Sequence, residues 1–174
     1  MRHAVVLLIL LSACTKRDER PEPREYFAHL TSAAQRRDAR RIFQLHSRRS
    51  RDTVRGYWDT ILHRVKSDPA EAAAYRDLAR LPRPVASYET GEELYFAMQE
   101  VLFEDPDHRR SFSEARYLGG RADGDRGVIT TEQPLRDPRT GKIATLRTDA
   151  VLVWEGGEWK LDLDATEHHN RTKR

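Results

Sequence analysis

Few side chains in this sequence combine the type and spacing that chemistry requires. Arg147 and Asp149 stand two residues apart in an alternating segment, which places both on one face of a strand, with Tyr117 on a strand across the sheet. A carboxylate buried on such a face has a raised pKa and can serve as a base. Exposed, the same Arg–Asp pair is a solvated surface pair. His168 and His169, with Glu167 and Asp164 nearby, are chelating types, but adjacent histidines in a polar tail do not build a rigid site. His29, His46, His63 and His108 lack ligand spacing such as HExxH, and the sequence has neither a GxSxG elbow nor a phosphate-binding glycine loop. His46-Ser47 lacks an orienting acid in a recognisable motif. No residue is assigned to catalysis, to a metal or to a cofactor; Tyr117, Arg147 and Asp149 stand as pocket candidates.

The remaining reactive group is a thiol. Cys14 is the only cysteine, so an intramolecular disulfide is excluded. Met1-Arg2-His3 is a short positive start, residues 4–11 are an unbroken apolar run, and Ser12-Ala13 are small. Those are the three parts of a secretory signal. The run falls far short of the ~20 apolar residues a spanning helix needs. An exported lone thiol demands an explanation. Leu11-Ser12-Ala13-Cys14 resembles the lipobox of bacterial lipoproteins. That resemblance implies a diacylglyceryl group on the Cys14 sulfur, cleavage just before Cys14, and a new amino group that is usually acylated. Thr15, where an Asp would hold the protein at the inner membrane, implies the periplasmic face of the outer membrane. Several acyl chains anchor stably where one does not.

The chain after the cut, residues 14–174, is enough for one domain. Charged residues are 34% and hydrophobic ones 38%, which predicts one core under a highly charged surface. The charge is uneven. Residues 15–66 carry 14 basic and 7 acidic side chains, and residues 67–174 carry 16 basic and 21 acidic. The front is thus net basic and the back net acidic. A basic ridge of Arg36, Arg37, Arg40, Arg41, Arg48, Arg49 and Arg51 beside an anchor suits anionic headgroups. Export argues against nucleic acid as a partner.

The elements that must position these groups follow from periodicity. Residues 15–24 are charged, contain two prolines and read as a flexible tether. Tyr26, Phe27, Leu30, Ala33 and Ala34 share one helix face, and Asp38 caps a short second helix. Residues 50–66 carry one apolar stripe through Val54, Tyr57, Trp58, Ile61, Leu62 and Val65. Asp68-Pro69-Ala70-Glu71 and Thr90-Gly91-Glu92-Glu93 open two further helices, over 68–80 and 90–103, and Asp105-Pro106 ends the second. Strands are predicted over 112–121, 127–133, 143–154 and 159–165, with turns at Asp123-Gly124, Asp137–Gly141 and Gly156-Gly157. Residues 166–174 read as a polar tail. The expected fold is α+β: N-terminal helices (25–103) packed on a curved antiparallel sheet of about four strands (112–165) in one domain, 25–165.

Helices followed by such a meander resemble the nuclear-transport-factor-like cone fold, which also holds ketosteroid isomerases. Residues 88–94 are similar to its edge segment and helix, and 151–161, with Trp159 after a glycine turn, to its last hairpin. In the enzymes of that fold an acid in the cone abstracts a proton beside a carbonyl while Tyr or a protonated acid stabilises the oxyanion. By resemblance Asp149 would be the base, with Arg147 and Tyr117 beside it. The reading preferred from the sequence is a membrane-anchored, non-catalytic binding or scaffolding module for another envelope protein or an apolar small ligand. The alternative is a small isomerase or cyclase-like enzyme.

Overall fold

The computed structural model describes residues 20–68, 70–71, 75, 80–137 and 139–173. Cys14, the signal, the first part of the tether and most of the helix expected over 68–80 lie outside the described residues; of that helix, Ala70, Glu71 and Tyr75 are helical.

The fold is α+β, with helices packed on a four-stranded antiparallel sheet. Helix α1 spans Arg24–Gln35, α2 Ala39–Gln44 and α3 Arg48–Ser67. Each later start is set by a cap. Asp38 accepts from the Arg41 N–H, and Ser47 Oγ accepts from the Ser50 N–H. A short 3-10 turn, Val85–Ser87, leads to α4, Gly91–Glu104, where Thr90 accepts from the Glu93 N–H. Glu93 returns a bond to the Glu89 N–H, one position before the cap residue itself. Asp105 ends α4 and also starts α5, Pro106–Ser113, by accepting from the Asp107 and His108 N–H groups. The strand expected from residue 112 therefore begins later. Asp105-Pro106, a cap residue with proline at the first helical position, is a start signal as well as a stop.

Strands β1 (Arg116–Asp123), β2 (Arg126–Arg136), β3 (Ile143–Glu155) and β4 (Glu158–Leu161) pair in chain order. The β1–β2 register slips at Leu118, a bulge that leaves this leucine exposed. Tyr88–Thr90, expected as an edge segment of the sheet, joins no strand. The last strand stops at Leu161, not at residue 165. Asp162 accepts from the Ala165 N–H and starts helix α6, Leu163–Arg171, where a polar tail was expected.

The core has three parts. Ile61, Leu62 and Val65 of α3 meet Val85, Tyr88 and Leu94. Ala33, Ala39, Ile42 and Phe103 join α1, α2 and α4. Tyr26, Leu45, Ile129, Leu152 and Trp159 join the first helices to the sheet. Trp58 is partly buried against the first of these, while Tyr57, placed on the same stripe by periodicity, is exposed. The α3–α4 crossing is close at Gly91. A Cβ there would lie 2.3 Å from the Asp59 nitrogen, and the Gly91 N–H donates to Asp59 Oδ1 at 2.6 Å.

Candidate functional site

Register decides which side chains can meet. Tyr117 pairs with Thr131, which pairs with Thr148, whereas Thr130 pairs with Asp149. Successive residues of a strand face opposite sides. Tyr117 therefore lies on the sheet face covered by α1, its ring 6.0 Å from Phe27. Asp149 and Arg147 lie on the other face. The three pocket candidates do not converge: the sheet separates the tyrosine from the acid.

Asp149 is the centre of a cluster on that second face. Its carboxylate accepts from Thr130 Oγ1 at 2.6 Å, from His169 Nε2 at 3.1 Å and from Lys173 Nζ. The side chain is only 12% exposed. Burial alone would raise its pKa. The bond from Lys173, then that from Thr130, outweighs this and holds the carboxyl at about 2. The raised pKa expected for a base is thus reversed. A carboxylate that three donors hold at a pKa of about 2 is a weak base, poorly suited to abstracting a proton beside a carbonyl.

The same cluster holds α6 to β3. Asn170 Nδ2 donates to the Asp149 carbonyl at 2.9 Å and to the Thr166 carbonyl at 3.0 Å. Thr166 Oγ1 accepts from the Val151 N–H, and the Asp162 N–H donates to the Val151 carbonyl. Ser50, buried in α3, accepts from the Leu163 N–H at 2.9 Å. His169, Asn170 and Lys173 do not stand out as site residues in the sequence, where residues 166–174 read as a polar tail. The available signal was Asp162 as a cap, Asp164 in the first turn, and His168, His169 and Arg171 in the last, which complements a helix dipole.

Beside this cluster a groove of about 550 Å³ runs along β3, lined by Thr130, Leu146, Arg147, Thr148, Asp149, Asn170 and Lys173. Arg147 is exposed on its rim. Leu146, from the opposite face, is 44% exposed, so the groove wraps around the outer edge of β3.

The other chemistry-bearing types are tied up elsewhere. Glu167 pairs with Arg171 and Asp164 with Arg49, so neither joins the adjacent histidines. His46 is held by the Ile42 carbonyl at 3.0 Å, and burial lowers its pKa. His108 packs between Phe103 and Phe112. Among the described residues no group of three or more His, Cys, Asp or Glu side chains is placed to hold a metal ion.

A second charged cluster joins the chain's two halves. Arg41 donates both terminal nitrogens to Glu158, at 3.1 and 2.5 Å. Lys160, 7% exposed, donates to Glu158 and to the Gln44 carbonyl. These donors, Arg41 first, hold Glu158 at a pKa of about 2. Trp159 Nε1 donates to the Pro21 carbonyl at 2.7 Å and fixes the end of the tether on the sheet.

No protein-family model, curated protein or solved structure matches this chain.

Proposed function

We propose that this protein is a lipid-anchored envelope protein whose domain is a binding or scaffolding module, with the periplasmic face of the outer membrane as its place. The anchor rests on Leu11-Ser12-Ala13-Cys14 behind a short apolar run. Among the described residues no helix is long and apolar enough to cross a membrane. The α+β class is compatible with the nuclear-transport-factor-like resemblance.

One observation carries the choice of binding over catalysis. The acid required as a base, Asp149, is an ionised, triply bonded carboxylate that fastens a helix, with Tyr117 on the far side of the sheet. The groove beside it is rimmed by Arg147 and Leu146, which suits a polypeptide partner better than a small molecule needing enclosure.

Envelope fractionation of cells carrying Cys14→Ser tests the anchor. The protein is expected in the soluble fraction, without the acyl groups of the wild type. A variant that stays with the membranes refutes the anchor. Crosslinked pull-down of the wild-type protein from native membranes tests the module and is expected to yield a stoichiometric envelope partner.

A further inference from the structure

The sheet protects its two long edges differently. On β2, beyond the end of β1, the residue facing outward is Pro134, which has no N–H to leave unpaired. Arg136 Nε there reaches Asp107 of α5 at 2.8 Å, so a helix covers that edge. On β3, β4 pairs only with Leu152–Glu155, and Asp162 with α6 takes up both backbone groups of Val151 and the Asp149 carbonyl. In an antiparallel ladder alternate residues turn both backbone groups away from the partner strand. Val151 does so, which sets the phase: Asp149, Arg147, Thr145 and Ile143 turn outward too. Among the described residues nothing bonds the outward N–H and C=O groups of Arg147, Thr145 and Ile143. Three consecutive outward positions span a stretch close to the length of an ordinary strand.

The side chains around this edge have a definite pattern. Leu146 and Leu135 share the helix-covered face but stand beyond the helices, 44% and 48% exposed. Arg147 shares the other face with Asp149, whose charge Lys173 already neutralises. Glu132 sits across the ladder from Arg147 but makes no ion pair with it among the described residues. Lys142 stands at the near end of the edge. Asp137, the acid in the hairpin turn, is turned inward onto the Arg139 N–H and the Thr140 N–H and hydroxyl. The open edge is therefore apolar on the Leu135–Leu146 face, and its other face carries the exposed Ile143 and, on the edge strand itself, one cation, Arg147.

We propose that residues Ile143 to Arg147 form a docking edge for an extended segment of another protein, which adds to the sheet as a fifth strand beside β3. Its side chains alternate. Apolar ones lie along Leu135 and Leu146, and on the other face an acidic one meets Arg147. Main-chain bonds supply affinity and the alternating side chains supply specificity. A second copy fits worse, because two-fold pairing of β3 with itself gives Arg147 no acid. The inference rests on the binding-module reading and gives that module its site.

The test uses the full chain in detergent and a seven-residue peptide alternating Glu and Val, blocked at both ends. A Lys–Val peptide is the control. The Glu–Val peptide is expected to bind at least tenfold more tightly than the control and to slow exchange of the Arg147 and Thr145 amides. Thr145→Pro removes an outward N–H and no β2 bond, so it is expected to weaken binding at least tenfold while the thermal melt shows a folded protein. Arg147→Glu is expected to reverse the peptide preference, and this second variant keeps the test open if the proline variant melts early. Equal binding of the two peptides, unchanged binding by folded Thr145→Pro, or dimers that Thr145→Pro dissolves would each overturn the proposal. If these arms fail while the pull-down yields a partner, the module stands and its site lies elsewhere. If the pull-down also fails, the module reading falls too.

Discussion

At the scale of single residues, the two carboxylates with the lowest pKa values are clamps. Asp149 fastens α6 to the sheet, and Glu158 fastens α2 to β4 through Arg41. Both titrate near 2 in the fold, against ordinary values of 3.8 and 4.5. A depressed carboxyl pKa stabilises the fold above the ordinary value, and that contribution is lost as pH falls through the folded value. Stability is thus expected to drop between about pH 4.5 and pH 2, as both lose their charge. Lys173 is well exposed, so solvent screening keeps the Asp149 contribution to about 1–2 kcal/mol. Asp149→Asn is expected to lose that much at neutral pH and to flatten the acid limb, as read by denaturant melts across pH. An unchanged acid limb would refute the assignment.

At the scale of elements, caps and one glycine decide where helices begin and how closely they cross. Gly91 lets α4 start against Asp59 of α3, where a Cβ would overlap the backbone at 2.3 Å. Gly91→Ala is expected to cost about 2 kcal/mol by overpacking, lowering Tm by roughly 4–8 °C for a chain of this size. A melt unchanged within error would show that the crossing relaxes freely. Asp162 is the cap on which α6 depends. Asp162→Ala is expected to cost about 1 kcal/mol and to speed amide exchange along α6 roughly fivefold, with α3 and α4 unaffected. Equal acceleration everywhere would mean that α6 does not open on its own. The helix stripes, the caps at Asp38 and Thr90, and the hairpin turns are legible in the sequence because each is a local pattern. The start of β1 and the end of β4 are not. There short alternating runs are compatible with either periodicity, and the caps Asp105 and Asp162 decide.

At the scale of the whole molecule, the charge asymmetry of the sequence largely closes on itself. Arg37 pairs with Glu104, Arg41 with Glu158, Arg49 with Asp164, Arg51 with Glu155 and Arg55 with Glu92. Arg40 lies over the Phe96 ring at 5.0 Å. The basic ridge is thus spent mostly on acids from the back half of the chain, which leaves little for anionic headgroups. The unlipidated Cys14→Ser chain is expected not to sediment with anionic vesicles at physiological salt. Strong, salt-sensitive sedimentation would restore the lipid-binding ridge. Geometry also separates anchor from docking edge. Pro21 is fixed at Trp159, and Trp159 pairs with Trp154 at the far end of β3 from Ile143. Eleven residues of strand put roughly 35 Å between them, while Cys14 reaches Pro21 across at most about 25 Å. An anchor at Cys14 would therefore fall short of the open edge.

The sequence by itself determined the local matters: the helix faces, the caps at Asp38 and Thr90, and the α+β order of helices before an antiparallel meander. These depend on neighbours within a few residues, where spacing and residue type are sufficient. Only the tertiary structure decided the non-local ones. The register of β2 on its neighbours put Tyr117 and Asp149 on opposite faces, a one-residue difference that alternation along single strands cannot convey. The docking of α6 brought Lys173 and His169 to Asp149 from more than 19 residues away, and so reversed the pKa expected of a buried acid. The open edge of β3 is likewise defined by what fails to pair with it, β4 being short and α6 stopping at Asp149.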